Sequence, residues 1–140
     1  MYKILISILF CFCLLPIAKS QTPLTINKED IVGRWVESKR IEGDSIKQIG
    51  EYADTYIFKD NGIFHKGEAA EGVIVFNITG RYTIEDDSIT ILYRDYTRRG
   101  ATKQPTIKLS LKILSRTENE ITVSAKDYDF EYEMVLMRQQ

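Results

Sequence analysis

From Gly33 to the end, the chain is a series of short segments in which apolar and polar residues alternate. That alternation limits what it can fold into. Ile107, Leu109, Leu111 and Ile113 fall on one face, with Lys108, Ser110 and Lys112 on the other. Phe130, Tyr132, Met134 and Leu136 do the same against Glu131 and Glu133. A period of two belongs to a strand with one buried face, not to a helix. Clean apolar-in, polar-out alternation over many strands points to antiparallel sheet.

Eight strands are expected: Gly33–Glu42, Asp54–Lys59, Ile63–Gly67, Val73–Glu85, Ile89–Tyr96, Thr106–Ser115, Ile121–Lys126 and Phe130–Arg138. Between the second and third stands Asp60-Asn61-Gly62, a hairpin signal because Asn and Gly tolerate positive φ. In the fourth, Ile74, Phe76, Ile78, Tyr82 and Ile84 are expected to share a face, with Gly80 as a bulge or bend. A short helical turn is expected just before the strands, at Asn27 to Val32, with Asn27 as N-cap.

Eight sequential strands without long crossovers suggest an all-β, antiparallel up-and-down barrel, with a β-sandwich as the alternative. In such a barrel, alternate connections share an end. The short turns would close one end. The long connections, Gly43 to Ala53 and Thr97 to Pro105, would form an open mouth at the other.

The first twenty residues read as a signal peptide, and residues 21–140 as one domain. Lys3 supplies a positive start, and Ile4 to Ile17 is almost wholly apolar. Ala18 and Ser20 stand at the −3 and −1 positions of a cleavage site after Ser20. The apolar run is shorter than the ~20 residues a spanning helix needs. Secretion or a periplasmic location is expected, with no membrane span in the mature chain. Both cysteines, Cys11 and Cys13, fall in this leader, so the mature domain would fold without disulfides. Phe10 and Phe12 precede them, where a lipoprotein needs a small residue.

Chemistry-bearing residues are scarce. Nineteen basic residues against 20 acidic give a net charge of −1, which lacks the basic excess of a nucleic-acid binder. The one histidine, His65, has no partner in its sequence neighbourhood and reads as an outward strand residue. Asp127, Asp129, Glu131 and Glu133 share one strand face, a solvated acidic surface rather than an ion-wrapping loop. Asn77-Ile78-Thr79 fits a glycosylation acceptor but lies mid-strand. No phosphate loop, nucleophile elbow or zinc-helix motif occurs. No catalytic residue, metal ligand or cofactor is assigned. Arg98, Arg99 and Lys103 form the only basic cluster, on a loop expected at the mouth.

Gly33-Arg34-Trp35, at the start of the first strand and just after a helical turn, resembles the Gly-x-Trp motif of the lipocalin-like (calycin) superfamily. Arg138, near the end of the last strand, matches the basic residue that those proteins stack on the Trp. Tyr56-x-Phe58-x-x-Asn61-Gly62-x-Phe64 followed by Gly80-x-Tyr82 is similar to small bacterial lipocalin-like domains. The resemblance covers about Ile31 to Arg138. The chain departs from it in lacking a disulfide and a C-terminal helix, and in strand one, where Glu37 and Lys39 share the parity of Trp35, either as hydrated mouth residues or with a bulge that flips the register.

The resemblance implies a barrel with Gly33, Trp35 and Arg138 as its structural signature. A barrel of this size is either filled or holds one small ligand. On the ligand-binding reading, Tyr56, Phe58, Phe64, Tyr82, Tyr93, Leu109 and Tyr132 line the interior. Arg98, Arg99 and Lys103 would then favour an anionic head group at the mouth. The expected ligand is small and apolar or amphipathic. The alternative is a filled barrel that acts as a cell-envelope interaction module.

Overall fold

The computed structural model describes residues 24–50, 53–95 and 105–140. The expected leader, and with it the cleavage site, lies outside them. One helical turn, α1 (Lys28–Ile31), is followed by nine strands: β1 (Gly33–Glu42), β2 (Ser45–Gln48), β3 (Thr55–Phe58), β4 (Ile63–Ala70), β5 (Val73–Glu85), β6 (Ser88–Asp95), β7 (Ile107–Arg116), β8 (Glu120–Asp127) and β9 (Phe130–Gln139). All pairings are antiparallel between sequence neighbours, except that β1 also pairs with β3 and β9. The β1–β9 pairing closes an eight-stranded up-and-down barrel, so the fold is the expected all-β barrel and not a sandwich.

β2 was not expected. It lies within the long Gly43–Ala53 connection and pairs with the far half of β1, Lys39 to Glu42. Its partner on the near half of β1 is β3. The mouth is thus extended by a hairpin where a loop was expected.

Two bulges correct the face assignments. The β1–β9 register shifts between Glu37 and Lys39. Glu37 keeps the inward parity of Trp35, but beyond the shift Arg40, not Lys39, faces inward opposite Met134. In β5 the shift falls where Gly67 pairs with Phe76 and Lys66 with Ile78, so Asn77 is the extra residue. Ile78 and Tyr82 are buried, but Phe76 is turned outward and is 48% exposed. At Gly80 the pairing is continuous with both neighbours, Phe64 and Tyr93. The glycine is required there because a Cβ would stand 2.2 Å from the Leu92 carbonyl oxygen.

The core is one cluster, in which Trp35, Tyr56, Phe58 and Phe64 are the largest fully buried side chains. Fully burying one such side chain is worth about 1.5–3 kcal/mol. α1 caps the end of the barrel where the short turns lie. The Asn27 N–H donates to the Asp30 carboxylate at 2.9 Å, tying the first turn. Ile26 and Ile31 are buried against the core, and the Ile26 N–H donates to the Asp86 carbonyl of the β5–β6 turn at 3.0 Å.

That end carries the Gly33, Trp35 and Arg138 constellation. The Trp35 indole N–H donates to the Ile31 carbonyl at 2.7 Å. The Arg138 guanidinium lies 4.2 Å from the Trp35 ring centroid. Its Nη1 and Nη2 donate to the carbonyls of Val32 and Asp30, both at 2.8 Å, and its Nε to that of Glu118 at 3.0 Å. One side chain thus satisfies two backbone acceptors around the end of α1 and ties the β7–β8 turn to them. Gly33 adopts φ +134°, and a Cβ there would stand 2.8 Å from Arg138 Nη1. The glycine is what lets the arginine approach.

Candidate functional site

The opposite end of the barrel is open and polar inside. The β1 bulge places Ser38 as the extra residue, held by its hydroxyl to the Val135 carbonyl at 3.2 Å. Glu37 is left with 2% exposure and faces Arg40 inside the barrel. Arg40 Nε and Nη2 donate to the two Glu37 carboxylate oxygens at 2.6 and 2.8 Å. The guanidinium lies 4.5 Å from the Tyr132 ring centroid. The fork on Glu37 raises the arginine pKa above its already high value and outweighs partial burial.

A second cation stands two strands away, on β4. Alternation on β4 gives Phe64, Lys66 and Glu68 one parity, and Phe64 is buried in the core. Lys66 Nζ lies 3.2 Å from Asp54 and 3.4 Å from Glu68, and 5.6 Å from the Tyr56 ring centroid. Burial pulls its pKa down, but Asp54 and Glu68 more than reverse this, and the net shift is upward. The bulged Asn77 donates its amide to the other Glu68 oxygen at 2.8 Å. Asp54 also accepts from the Ala69 N–H at 3.3 Å. Each cation is therefore held by a carboxylate and lies near a tyrosine ring.

Above this layer is a hollow of about 520 Å³, whose lining includes Arg40, Asp54, Lys66, Glu68, Phe130 and Tyr132. Its size falls in the range of small-molecule sites. A smaller recess of about 290 Å³ adjoins it, bounded by Glu37, Arg40, Lys47 and Asp54 among others.

Beneath the charged layer the barrel is packed with the aromatics singled out from the sequence. Phe58 and Phe64 lie 5.1 Å apart, and Phe58 meets Tyr82 edge-on at 5.2 Å. Tyr56 lies 6.3 Å from Phe64. Leu109 is buried in the same cluster, while Tyr93 and Tyr132 are partly buried against it. Of the seven expected lining residues, Tyr132 borders the mouth hollow. Arg98, Arg99 and Lys103 lie outside the described residues. His65 Nδ1 is 3.0 Å from the Thr79 hydroxyl, on the side of β4 away from Phe64. Burial and Lys59 lower its pKa. Asn77 is buried in the bulge.

Sequence reasoning noted Glu37 only as sharing the parity of Trp35 and did not select Arg40, Asp54, Lys66 or Glu68. Charged residues on strands read by default as solvent-facing. A signal did exist, since Asp54 shares parity with Tyr56 and Phe58, and Lys66 and Glu68 with Phe64. Among the described residues, no group of three His, Cys, Asp or Glu could hold a metal ion.

The tyrosines give the site an alkaline signature. Burial pushes the Tyr56 hydroxyl well above 10, and it raises Tyr82 and Tyr132. Burial, with Asp127 and Asp95 adding, puts Tyr93 at about 12. Raised folded-state values mean that the stability these groups contribute is intact below about pH 10 and is lost as pH climbs through the folded values. In a spectrophotometric titration, part of the eight tyrosines is expected to ionise only as the β-sheet circular dichroism signal collapses.

The fold and this open-ended geometry define the class of the protein: it has a lipocalin-like fold. The structure resembles that of a lipocalin-like protein from Bacteroides uniformis, with a TM-score of 0.61 and 14% identity over 79% of this chain and 99% of that one. It also resembles an uncharacterized protein from Bacteroides eggerthii, with a TM-score of 0.54 and 15% identity over 78% and 99%. Neither a protein-family model nor a curated protein sequence matches the chain. No helix among the described residues is long and apolar enough to cross a membrane.

Proposed function

We propose that this is an exported binding protein, not an enzyme, and that it takes a small amphipathic ligand at the open end of its barrel. The observation that carries the proposal is the hollow of about 520 Å³ over the Arg40 and Lys66 layer. Its lining combines aromatic contact from Tyr132 and Phe130 with the cations Arg40 and Lys66 and the carboxylates Glu42, Asp54, Glu68, Asp127 and Glu131. A ligand's apolar part would lie against Tyr132 and Tyr93, with Tyr56, Phe58, Phe64, Tyr82 and Leu109 forming the floor. Arg98, Arg99 and Lys103, which fall in sequence between β6 and β7, would draw an anionic head group. The leader read at residues 1–20 supports a secreted or periplasmic location.

Titration with a fluorescent fatty acid tests this. Saturable binding is expected. Replacing Arg98, Arg99 and Lys103 together with Ser is expected to weaken binding and flatten its salt dependence, since exposed charges act within about 8–10 Å. Thermal stability should hardly move, because surface changes stay within about ±0.5 kcal/mol. Tyr132→Ala is expected to weaken binding at every salt concentration, because it removes contact area. If the wild type binds no such probe at high micromolar concentration, ligand carriage fails. The close packing of Phe58 with Phe64 and Tyr82 then favours the second reading, a filled barrel that contacts a partner through its surface.

A further inference from the structure

The outer face of β5, β6 and β7 carries a cleft of about 450 Å³, separate from the mouth, whose lining includes Ile63, Gly80, Arg81, Leu92 and Arg94. Leu92, 49% exposed, stands directly opposite Arg81 on β5 and Lys108 on β7. Arg94 follows two residues along the same strand. Neighbouring strands lie about 4.8 Å apart, so three cations surround one apolar side chain at close range. All three are exposed, and among the described residues none makes an ion pair.

The β8–β9 turn carries the complementary chemistry. Tyr128 and Phe130, 65% and 76% exposed, are the two most exposed large hydrophobics of the described residues. Asp129, Glu131 and Glu133 are interleaved with and follow them. These acids are also exposed and, among the described residues, make no ion pair. Over the cleft, β5 pairs with β6 from Ile78 to Glu85 and β6 with β7 from Ser88 to Tyr93, so this face associates through side chains rather than by strand addition.

We propose that the occupant of the outer cleft is a second copy of this chain, whose acidic, aromatic β8–β9 turn docks on Leu92 among Arg81, Arg94 and Lys108. Three cations meet three acids, and the exposed Tyr128 ring at the tip of the turn meets Leu92. Cleft and turn are different surfaces. Two copies can therefore exchange contacts reciprocally, or a head-to-tail chain can grow.

Sedimentation velocity on the purified protein, from micromolar to near-millimolar concentration, tests the proposal. The average mass is expected to rise with concentration at low salt and to fall back at high salt. Two charge-reversed proteins separate the surfaces: Arg81→Glu with Arg94→Glu in the cleft, and Asp129→Lys with Glu133→Lys on the turn. Each alone is expected to weaken association by more than about tenfold. Mixed together, they restore it, because reversed cleft then meets reversed turn. Thermal unfolding checks that each variant folds, and Leu92→Ser and Tyr128→Ser, both outside the mouth hollow, replace any that does not. A wild type that stays monomeric throughout, association insensitive to salt, or variants that associate unchanged or fail to recover on mixing would each overturn the proposal. Fatty-acid binding at the mouth is scored independently.

Discussion

Trp35→Ala is expected to leave the domain barely folded. Removing a fully buried indole from a packed core costs about 3–5 kcal/mol. The ring is also the surface on which the Arg138 guanidinium lies, and such a contact adds about 1–2 kcal/mol when partly desolvated. A small domain has about 5–15 kcal/mol in total, so the sum takes most of what a chain of this size holds. Trp35→Phe separates the contributions, since it keeps ring packing but leaves the Ile31 carbonyl without its donor. A buried acceptor left unpaired costs about 1–3 kcal/mol. Arg138→Ala is expected to fall between the two variants, because three backbone carbonyls lose their donor at a site that water can partly reach. Urea unfolding monitored by circular dichroism ranks all three. Equal stability of Trp35→Ala and wild type would refute the role given to this end of the barrel.

The second large effect is expected at the open end. Arg40→Met leaves the Glu37 carboxylate, 2% exposed, without its two hydrogen bonds. Stranding one member of a buried pair costs about 3–5 kcal/mol, and the lower end applies here because Arg40 itself is a quarter exposed. The double variant Glu37→Leu with Arg40→Met is expected to recover most of that loss, because neither member of the pair is then left as an unpaired buried charge. The same unfolding measurement on the two single variants and the double variant gives the coupling. If the double variant is no better than Arg40→Met, the pair is not what Arg40 contributes. The double variant is also expected to change ligand preference toward uncharged probes, which connects the stability of this layer to the proposed function.

The parts of the fold that were legible in the sequence were those where burial imposes a pattern. β7 and β9 alternate cleanly because one face of each meets the core, and Asn61-Gly62 marks its turn by backbone chemistry. β2 was missed for the converse reason: all four of its residues are exposed, so no side of Ser45–Gln48 is selected for apolarity. Bulges are the second blind spot. An extra residue at Ser38 or Asn77 reverses the parity of everything after it; the charged Glu37 and Lys39 at inward parity hint at the first, but nothing in residue type announces the second. Phe76 was placed inside by an alternation that holds on either side of Asn77 but not across it. The mouth layer fell between these cases. Glu37, Arg40 and Lys66 are inward by position but charged by type, and only their mutual pairing, visible in three dimensions, reconciles the two.

The barrel is closed by its first and last strands, with Arg34 paired to Gln139 and Trp35 to Arg138. Nearly every other pairing is a local hairpin that can form as soon as its two arms exist. The closing seam cannot: it must wait for the final residues of the chain and then bring together ends separated by the whole domain. Such distant pairing slows folding. A nascent chain of this design stays an open, incomplete sheet for as long as it is being made. An export channel that accepts only unfolded chains would find it still threadable, and a C-terminal deletion reaching back to Glu133 would remove the seam, the guanidinium on Trp35 and its ties to the end-cap together.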